Sequence, residues 1–169
     1  MNIILCGFMG CGKTTVSKQL HKLLSDKFSV VDTDLLIEQK FNMQIKDIFK
    51  TKGEDFFRQA EYEICKELSE KDNLIVSTGG GALTFARNSE LLKKNGKVFF
   101  LDASFETICA RIGDDNSRPL FKDKENAKKL YDSRKDTYSA VCDFKTNADK
   151  DVFSAAKDIL KKINECQKT

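Results

Sequence analysis

A complete phosphate-binding motif lies near the start of the chain, where residues 7–14 read Gly-Phe-Met-Gly-Cys-Gly-Lys-Thr. Its glycines let the backbone curl so that successive N–H groups point at a phosphate, and the positive end of a following helix adds attraction. Lys13 supplies a mobile charge for the outer phosphates, and the Thr14 hydroxyl can coordinate Mg²⁺. The alternative is a glycine-rich turn without a ligand. Because the motif is complete and its flanks predict a strand and a helix, we expect it to bind a nucleoside triphosphate.

Two carboxylates, Asp32 and Asp34, follow the second predicted strand at the same rim of the sheet. Beside a bound triphosphate, one could hold the metal through water and the other could accept a proton from an attacking hydroxyl. The alternative is helix capping, since Thr33 or Asp34 precedes an apolar run that starts at Leu35. Next to a phosphate loop, we favour the chemical interpretation.

The third predicted strand ends in Ser-Thr and then Gly79, Gly80 and Gly81. Three consecutive glycines allow the backbone to press on a ligand and donate N–H groups to it. A flexible turn is the alternative, and the triplet alone would not exclude it.

Residues 53–61 open a helix with acidic residues near its start and place Arg58 three residues before Glu61. Residues at this spacing share a helix face. Arg58 could therefore hold a substrate carboxylate in a bidentate grip. The alternative is a solvated surface pair, the usual fate of such charges.

A polar stretch without periodicity, from Gly113 to Glu125, contains the only proline of the chain and Arg118. In a compact α/β domain such a segment favours a lid, and a lid arginine could stabilise a transferring phosphate. Arg111 precedes this stretch and Arg134 follows it. For each arginine the alternative is a solvated side chain.

The elements that must position these residues alternate along the chain. Five short apolar runs predict strands: Ile3–Cys6, Phe28–Val31, Leu74–Val76, Val98–Leu101 and Val141–Phe144. Helical patterns cover Lys13–Leu24, Asn42–Thr51, Glu54–Ser69, Asn126–Tyr138 and a stripe from Val152 to Ile163. The alternation predicts an α/β fold of three layers, a parallel sheet between helices, with ligands at the carboxyl ends of the strands.

Length and composition favour one compact domain, residues 1–169, with ordinary soluble character and a formal charge of +3. No basic stripe indicates a nucleic-acid partner, and no apolar run is long enough to indicate a membrane span. Six cysteines without metal spacing, in a chain that begins directly on a strand, predict reduced thiols and a cytoplasmic protein. We expect a monomer.

Together these motifs closely resemble the shikimate kinase family, within the nucleoside-monophosphate-kinase-like group of phosphate-loop enzymes. The resemblance spans nearly the whole chain and rests on the phosphate loop, Asp32-x-Asp34, Gly53-Glu54-x-Phe56-x-Arg58, the glycine triplet, Arg118-Pro119-Leu120 and Arg134. It implies a five-stranded sheet in the order 2-3-1-4-5, with the substrate under residues 33–61 and a lid at about 113–125. It also implies transfer of the γ-phosphoryl group of ATP to the 3-hydroxyl of shikimate, a step towards aromatic amino acids.

The resemblance assigns roles residue by residue. Lys13, Asp34 and Arg118 would be catalytic, while Thr14 and Asp32 would organise Mg²⁺. The substrate shikimate would be held by Asp34, Arg58, Gly79, Gly80, Gly81 and Arg134. The co-substrate ATP would be held by Gly10, Cys11, Gly12, Lys13, Thr14, Thr15, Arg111 and Arg118, with Arg111 near adenine.

One departure concerns the adenine loop. The family often carries Arg or Pro after the last strand, where this chain reads Asn-Ala-Asp-Lys-Asp over residues 147–151. We therefore expect adenine contacts there to be mostly with the backbone.

Two other functions compete with this interpretation. A gluconate or nucleotide kinase would need different acceptor groups, and nucleotide kinases need several arginines around the acceptor phosphate, whereas residues 33–61 offer only Arg58. A nucleotide-dependent switch or inactive binding module would tolerate the loss of Asp34 and Arg118, yet both are present.

Overall fold

A five-stranded parallel sheet forms the centre of the computed structural model, which describes residues 1–24, 27–113, 121 and 123–166. The strands are β1 Asn2–Cys6, β2 Ser29–Asp32, β3 Leu74–Ser77, β4 Gly96–Asp102 and β5 Phe144–Asn147. Their order is β2-β3-β1-β4-β5, and every pairing is parallel. The predicted fold class and strand order are confirmed.

Helices connect the strands and complete the three layers. They are α1 Lys13–Leu24, α2 Thr33–Phe41, α3 Ile45–Ser69, α4 Ala86–Lys93, α5 Phe105–Ile112, α6 Lys124–Val141 and α7 Val152–Cys166, with a 3₁₀ turn at Ala82–Thr84. All residues of β1 and β3 are buried, as expected for strands covered on both faces. Among the described residues, no helix is both long and apolar enough to cross a membrane.

The position of the fifth strand was predicted wrongly. The apolar run from Val141 to Phe144 predicts a strand, but α6 extends to Val141 and β5 begins only at Phe144. As an edge strand, β5 alternates exposed Lys145 with buried Thr146, so it has no continuous apolar run. The apolar run that was predicted to be the strand is therefore partly the end of the preceding helix.

The helix predicted from Asn42 begins instead at Ile45, because Asn42 adopts a left-handed conformation with φ 46° and ends α2. Helix α3 then joins the two predicted helices 42–51 and 54–69 across a kink at Gly53. Gly53 has φ 82° and ψ 174°, a conformation that essentially only glycine adopts. The kink sets the direction of the helix segment that carries Arg58.

Candidate active site

The phosphate loop leaves the buried end of β1 and enters α1, as the sequence predicts. Gly10 has φ 81°, and a Cβ there would lie 2.9 Å from the Ile112 side chain, so both conformation and space require glycine. The neighbouring Cys11 is 1% exposed, and its Sγ lies 3.8 Å from Lys13 Nζ. Its burial favours a packing role for Cys11 within the loop over a reactive one.

Lys13 folds back onto the phosphate loop. Its buried Nζ donates to the carbonyl oxygens of Gly7 at 2.8 Å and Phe8 at 3.1 Å. These bonds satisfy the ammonium group and fix the loop at the same time. Lys13 therefore has a structural contact in addition to any contact with a phosphate.

The ends of β2 and β3 meet at the rim beside this loop. Thr33 Oγ1 accepts the Gly79 N–H at 2.8 Å, and Thr78 donates to the Leu5 carbonyl through both its N–H and its hydroxyl. The glycine triplet is thereby tied to β1 and β2. The Tyr138 hydroxyl, from α6, donates to the Gly80 carbonyl and adds a third anchor.

Asp32 is the N-cap of α2, and its Oδ1 accepts the N–H groups of Asp34 at 3.0 Å and Leu35 at 3.4 Å. The capping alternative therefore holds for Asp32, and the cap is Asp32 itself rather than Thr33 or Asp34. Asp34 is left with its side chain directed at Gly79, where a Cβ would lie 2.4 Å from Asp34 Oδ1. The structure separates the two carboxylates: one caps a helix and the other faces the glycine triplet.

The electrostatic surroundings of Asp34 disfavour its charged form. Burial, together with the nearby carboxylates of Asp32 and Glu61, raises the pKa of Asp34 to about 6, against the opposing effect of Lys13. A carboxyl group with such a pKa is mostly ionised at neutral pH and can still take up a proton readily. This is the behaviour expected of a group that receives a hydroxyl proton late in a reaction.

Arg58 and Glu61 form a buried ion pair across one turn of α3. Arg58 Nη1 lies 2.6 Å from Glu61 Oε2, and the two side chains are 16% and 1% exposed. On its other edge, Arg58 donates through Nε and Nη2 to Glu54 Oε1 at 3.2 and 3.1 Å. Although burial acts to lower the pKa of Arg58, these carboxylates raise it above its ordinary value. The alternative of a solvated surface pair is wrong.

Arg134 joins Arg58 at the glycine triplet. A Cβ at Gly81 would lie 2.9 Å from Arg58 Nη1 and 3.4 Å from Arg134 Nη2, so two guanidinium groups from separate helices converge on one point. A Cβ at Gly80 would lie 3.7 Å from Arg134 Nη1. The structure thus brings together all the side chains predicted to bind the acceptor.

Arg111 bridges the phosphate loop and the segment after β5. Its Nη1 donates to the Cys11 carbonyl at 3.1 Å, and its Nη2 donates to the carbonyls of Ala148 at 2.7 Å and Lys150 at 3.2 Å. The side chain therefore lies beside the backbone segment predicted to contact adenine.

The predicted lid arginine, Arg118, lies outside the described residues, as do residues 114–120 and 122 of the predicted lid. Phe121, near the end of that segment, packs edge-on against Phe8 of the phosphate loop at 6.3 Å and stacks on Phe105 at 6.2 Å between ring centroids. Phe121 of the predicted lid therefore contacts the phosphate loop directly.

Comparison with known proteins identifies the family. The shikimate kinase family matches residues 9–164 of this chain. The chain belongs to the shikimate kinase family. A curated shikimate kinase of Sulfurihydrogenibium sp. (strain YO3AOP1) is 45% identical over 164 residues, covering 96% of this chain and 97% of that protein.

Solved structures agree with this membership. The shikimate kinase from Acinetobacter baumannii in complex with shikimate superposes with a TM-score of 0.88 at 34% identity, over 97% of this chain and 93% of that one. The shikimate kinase from Aquifex aeolicus gives 0.83 at 32% identity, over 99% and 98%. A gluconokinase from Sinorhizobium meliloti, with a TM-score of 0.65 at 12% identity, shares the fold alone. As a member of the shikimate kinase family, the chain is an ATP-dependent kinase.

Sequence reasoning missed two groups in this kinase, Glu61 and Tyr138, as parts of the site. Glu61 carried a signal, its three-residue spacing from Arg58, but a spacing does not reveal that a carboxylate is 1% exposed. Tyr138 gave no signal, because its contact with the Gly80 carbonyl joins residues 58 positions apart.

Proposed function

We propose that this chain transfers the γ-phosphoryl group of ATP to the 3-hydroxyl of shikimate, giving shikimate 3-phosphate and ADP. The family performs ATP-dependent phosphorylation of shikimate on the path to aromatic compounds. The observation that carries the proposal is the convergence of Arg58 and Arg134 on Gly81, in the same glycine triplet whose first residue, Gly79, faces Asp34. The two arginines would form a carboxylate-binding site, and Asp34 would be a proton acceptor near it. Both lie at the rim of the sheet that also carries the phosphate loop.

Arg58 and Arg134 would bind the carboxylate of shikimate. Guanidinium groups hold carboxylates through parallel hydrogen bonds. Glu61 already compensates part of the charge of Arg58 at 2.6 Å, so the positive charge on offer is limited. This suits one carboxylate better than a doubly charged phosphate, and it favours shikimate over a nucleotide acceptor.

Asp34 would orient the attacking hydroxyl and accept its proton, with Gly79 and Gly80 presenting backbone groups to the same molecule. Phosphoryl transfer has a loose transition state, so orientation contributes more than basicity. The pKa of about 6 supports the role, because Asp34 can enter the reaction ionised and leave it protonated.

The residues from Gly10 to Thr15 would hold the phosphates of ATP, with Lys13 and Arg118 acting on the transferring group. Lys13 would exchange its carbonyl partners in the loop for phosphate oxygens. For Arg118 the support is the sequence motif, and closure of the lid at residues 113–125 would carry it onto the phosphates and exclude water.

Thr14 and Asp32 would hold Mg²⁺. Their hydroxyl and carboxylate oxygens are the hard ligands that this ion prefers. The described residues include no cluster of three or more His, Cys, Asp or Glu with metal-binding geometry. An ion here would therefore share its shell with water and phosphate oxygens, as Mg²⁺ usually does. When bound, it would neutralise charge developing on the phosphates.

Arg111 would lie near adenine, with base contacts provided by the backbone of residues 147–151. Its bonds to Ala148 and Lys150 support this placement. We further propose one domain over residues 1–169, acting as a cytoplasmic monomer without nucleic acid or membrane partners. All six cysteines are free, which is consistent with a reducing compartment.

The test is release of ADP by the purified protein with MgATP and shikimate, compared with gluconate, nucleoside monophosphates and the shikimate amide. We expect shikimate-dependent release and little with the amide, because the amide lacks the charge that the two arginines bind. Rapid phosphorylation of the amide would contradict the carboxylate site. Phosphorylation of gluconate or a nucleotide in place of shikimate would contradict the proposed acceptor.

A variant pair locates the carboxylate. Arg58→Lys should weaken shikimate binding, because lysine keeps the charge but cannot reproduce the two parallel hydrogen bonds of the guanidinium group, and it should leave ATP binding close to the parent value. The matched control is Arg87→Lys, since Arg87 is exposed and donates to the Arg58 carbonyl at 3.1 Å. Equal effects in both variants would contradict the assignment.

A further inference from the structure

Two aromatic rings contact the guanidinium group of Arg58. Its Cζ lies 5.3 Å from the ring centroid of Phe57 and 5.1 Å from that of Phe85. Phe57 is the preceding residue in α3 and is 4% exposed, so it belongs to the core. Phe85 comes from a different part of the chain, between the 3₁₀ turn that follows the glycine triplet and α4, and is 36% exposed.

The ring of Phe85 supplies a constraint that the carboxylates do not. Glu61 and Glu54 accept hydrogen bonds from the edges of the guanidinium group, and such bonds set its rotation within its own plane. A ring against the planar cation instead opposes tilting of that plane and adds electrostatic attraction. Arg58 is thus held by contacts of two geometrically different kinds.

Phenylalanine is an unfavourable residue type at position 85, judged from the local backbone alone. It is the N-cap of α4, where Ser, Thr, Asp and Asn are preferred, and its side chain makes no cap hydrogen bond. It is also one of the exposed large apolar side chains of the described residues. Since Phe85 neither caps α4 nor lies fully in the core, we look for a contact elsewhere that explains why an aromatic residue occupies this position.

We propose that Phe85 is a positioning residue for shikimate: its ring holds the Arg58 guanidinium in the orientation that faces Gly81 and Arg134. The proposal rests on the proposed function and deepens it. The free Arg58 side chain has many rotamers, and ordering them only when shikimate binds would weaken binding. With the ring in place, the carboxylate of shikimate meets an arginine that is already ordered.

The key variant is Phe85→Ser, which removes the ring and supplies a good N-cap. A cation–π contact of ordinary strength corresponds to a rise in the KM for shikimate of roughly two- to tenfold. The KM for ATP and the kcat at saturating shikimate should stay within about twofold. The reason is that the variant weakens the binding of shikimate equally in the ground state and in the transition state.

Three further variants control this result. Phe85→Tyr keeps an aromatic face and should restore the parent KM for shikimate. Phe85→Leu keeps apolar bulk without a ring, should raise that KM as Ser does, and carries the test if the Ser variant does not fold. Phe153→Ser is the matched control, because Phe153 is also exposed and contacts a cation, Lys157, at 4.3 Å on α7. It should change neither KM.

The outcomes separate this proposal from the proposed function. If the parent enzyme shows no shikimate-dependent ADP release, the function is wrong and the role of Phe85 with it. If the parent is active and both Phe85→Ser and Phe85→Leu keep its KM for shikimate, only the role of Phe85 is overturned. The role is also overturned if Phe85→Tyr is as impaired as Phe85→Leu, or if the KM for ATP rises in parallel.

Discussion

Asp34 Oδ1 occupies the space in which a side chain at Gly79 would begin, since a Cβ at Gly79 would lie only 2.4 Å from it. The Glu61 carboxylate lies 3.3 Å from the same point. Gly79 is therefore required for its lack of volume, and it allows a candidate proton acceptor and a buried carboxylate to approach the end of β3 together.

Gly79→Ala should displace Asp34 and lower kcat while leaving ATP binding intact. Overpacking of a tight site costs about 1–3 kcal/mol, so the free energy of unfolding should fall by that amount in chemical denaturation. Gly80→Ala is the matched control for stability, because a Cβ at Gly80 would meet its nearest atoms at 3.7 Å. Equal stability of the two variants would contradict the steric argument.

Asp34→Asn should stabilise the free protein at neutral pH and lower turnover strongly. The pKa of Asp34 is raised from 3.8 to about 6 by burial and by neighbouring carboxylates, so the folded state binds the proton more tightly than the unfolded state. Stability of the parent must then fall as the pH rises from about 4 to about 6. Asp34→Asn has no carboxyl group to ionise at this position, so its free energy of unfolding should not fall in this way. Above pH 6 it should exceed that of the parent by on the order of 2–3 kcal/mol.

Unfolding of parent and variant by urea at several pH values between 4 and 8 measures this effect. The advantage of Asp34→Asn should grow with pH and level off above 6. Asp55→Asn, at an exposed position of the same helix as Arg58, serves as the control and should give no such trend. An advantage that is independent of pH would show that ionisation of Asp34 is not the cause.

Lys13→Met should abolish most turnover and also cost stability. Loss of the charge from the phosphate site should lower kcat by on the order of a thousandfold or more. Loss of the lysine bond removes a partner from the buried Gly7 carbonyl, which should cost about 1–3 kcal/mol, whereas the Phe8 carbonyl keeps the Cys11 N–H as a donor. Steady-state kinetics and denaturation measure the two effects, with exposed Lys18→Met on α1 as the control. Near-normal turnover of folded Lys13→Met would contradict the phosphate-loop assignment.

Arg111→Lys should weaken the binding of ATP without changing the KM for shikimate. A lysine cannot reproduce the three hydrogen bonds that join the Cys11, Ala148 and Lys150 carbonyls, so the segment after β5 should lose its link to the phosphate loop. Calorimetric titration with ADP, compared between parent and variant, measures the change. An unchanged affinity for ADP would show that the bridge has no part in nucleotide binding.

The parts of this molecule that the sequence predicted are those with local causes. The phosphate loop depends on residues 7–14 and the elements that flank them, and Arg58 was found by its spacing from Glu61 on one helix, whereas the acceptor role of Arg134 was expected only from the resemblance to the family. The position of β5 could not be predicted, because an edge strand has no continuous apolar run. The burial of Glu61 and the contact between Phe85 and Arg58 depend on how separate elements pack, which the spacing of residues along one element does not reveal.

The strand order 2-3-1-4-5 has a consequence for the synthesis of the chain. Strand β1 pairs only with β3 and β4, so its partners end at Ser77 and Asp102, long after the phosphate loop has been made. Ribosomes add about 5–20 residues per second, so roughly 5–20 s separate the first residues from the completion of β4. Until β3 is complete, roughly 4–15 s after the first residues at that rate, the apolar segment Ile3–Cys6 has neither neighbouring strand, and until β4 is complete it has only one. The strand that leads into the phosphate loop therefore gains its second neighbour only after three-fifths of the chain has been made.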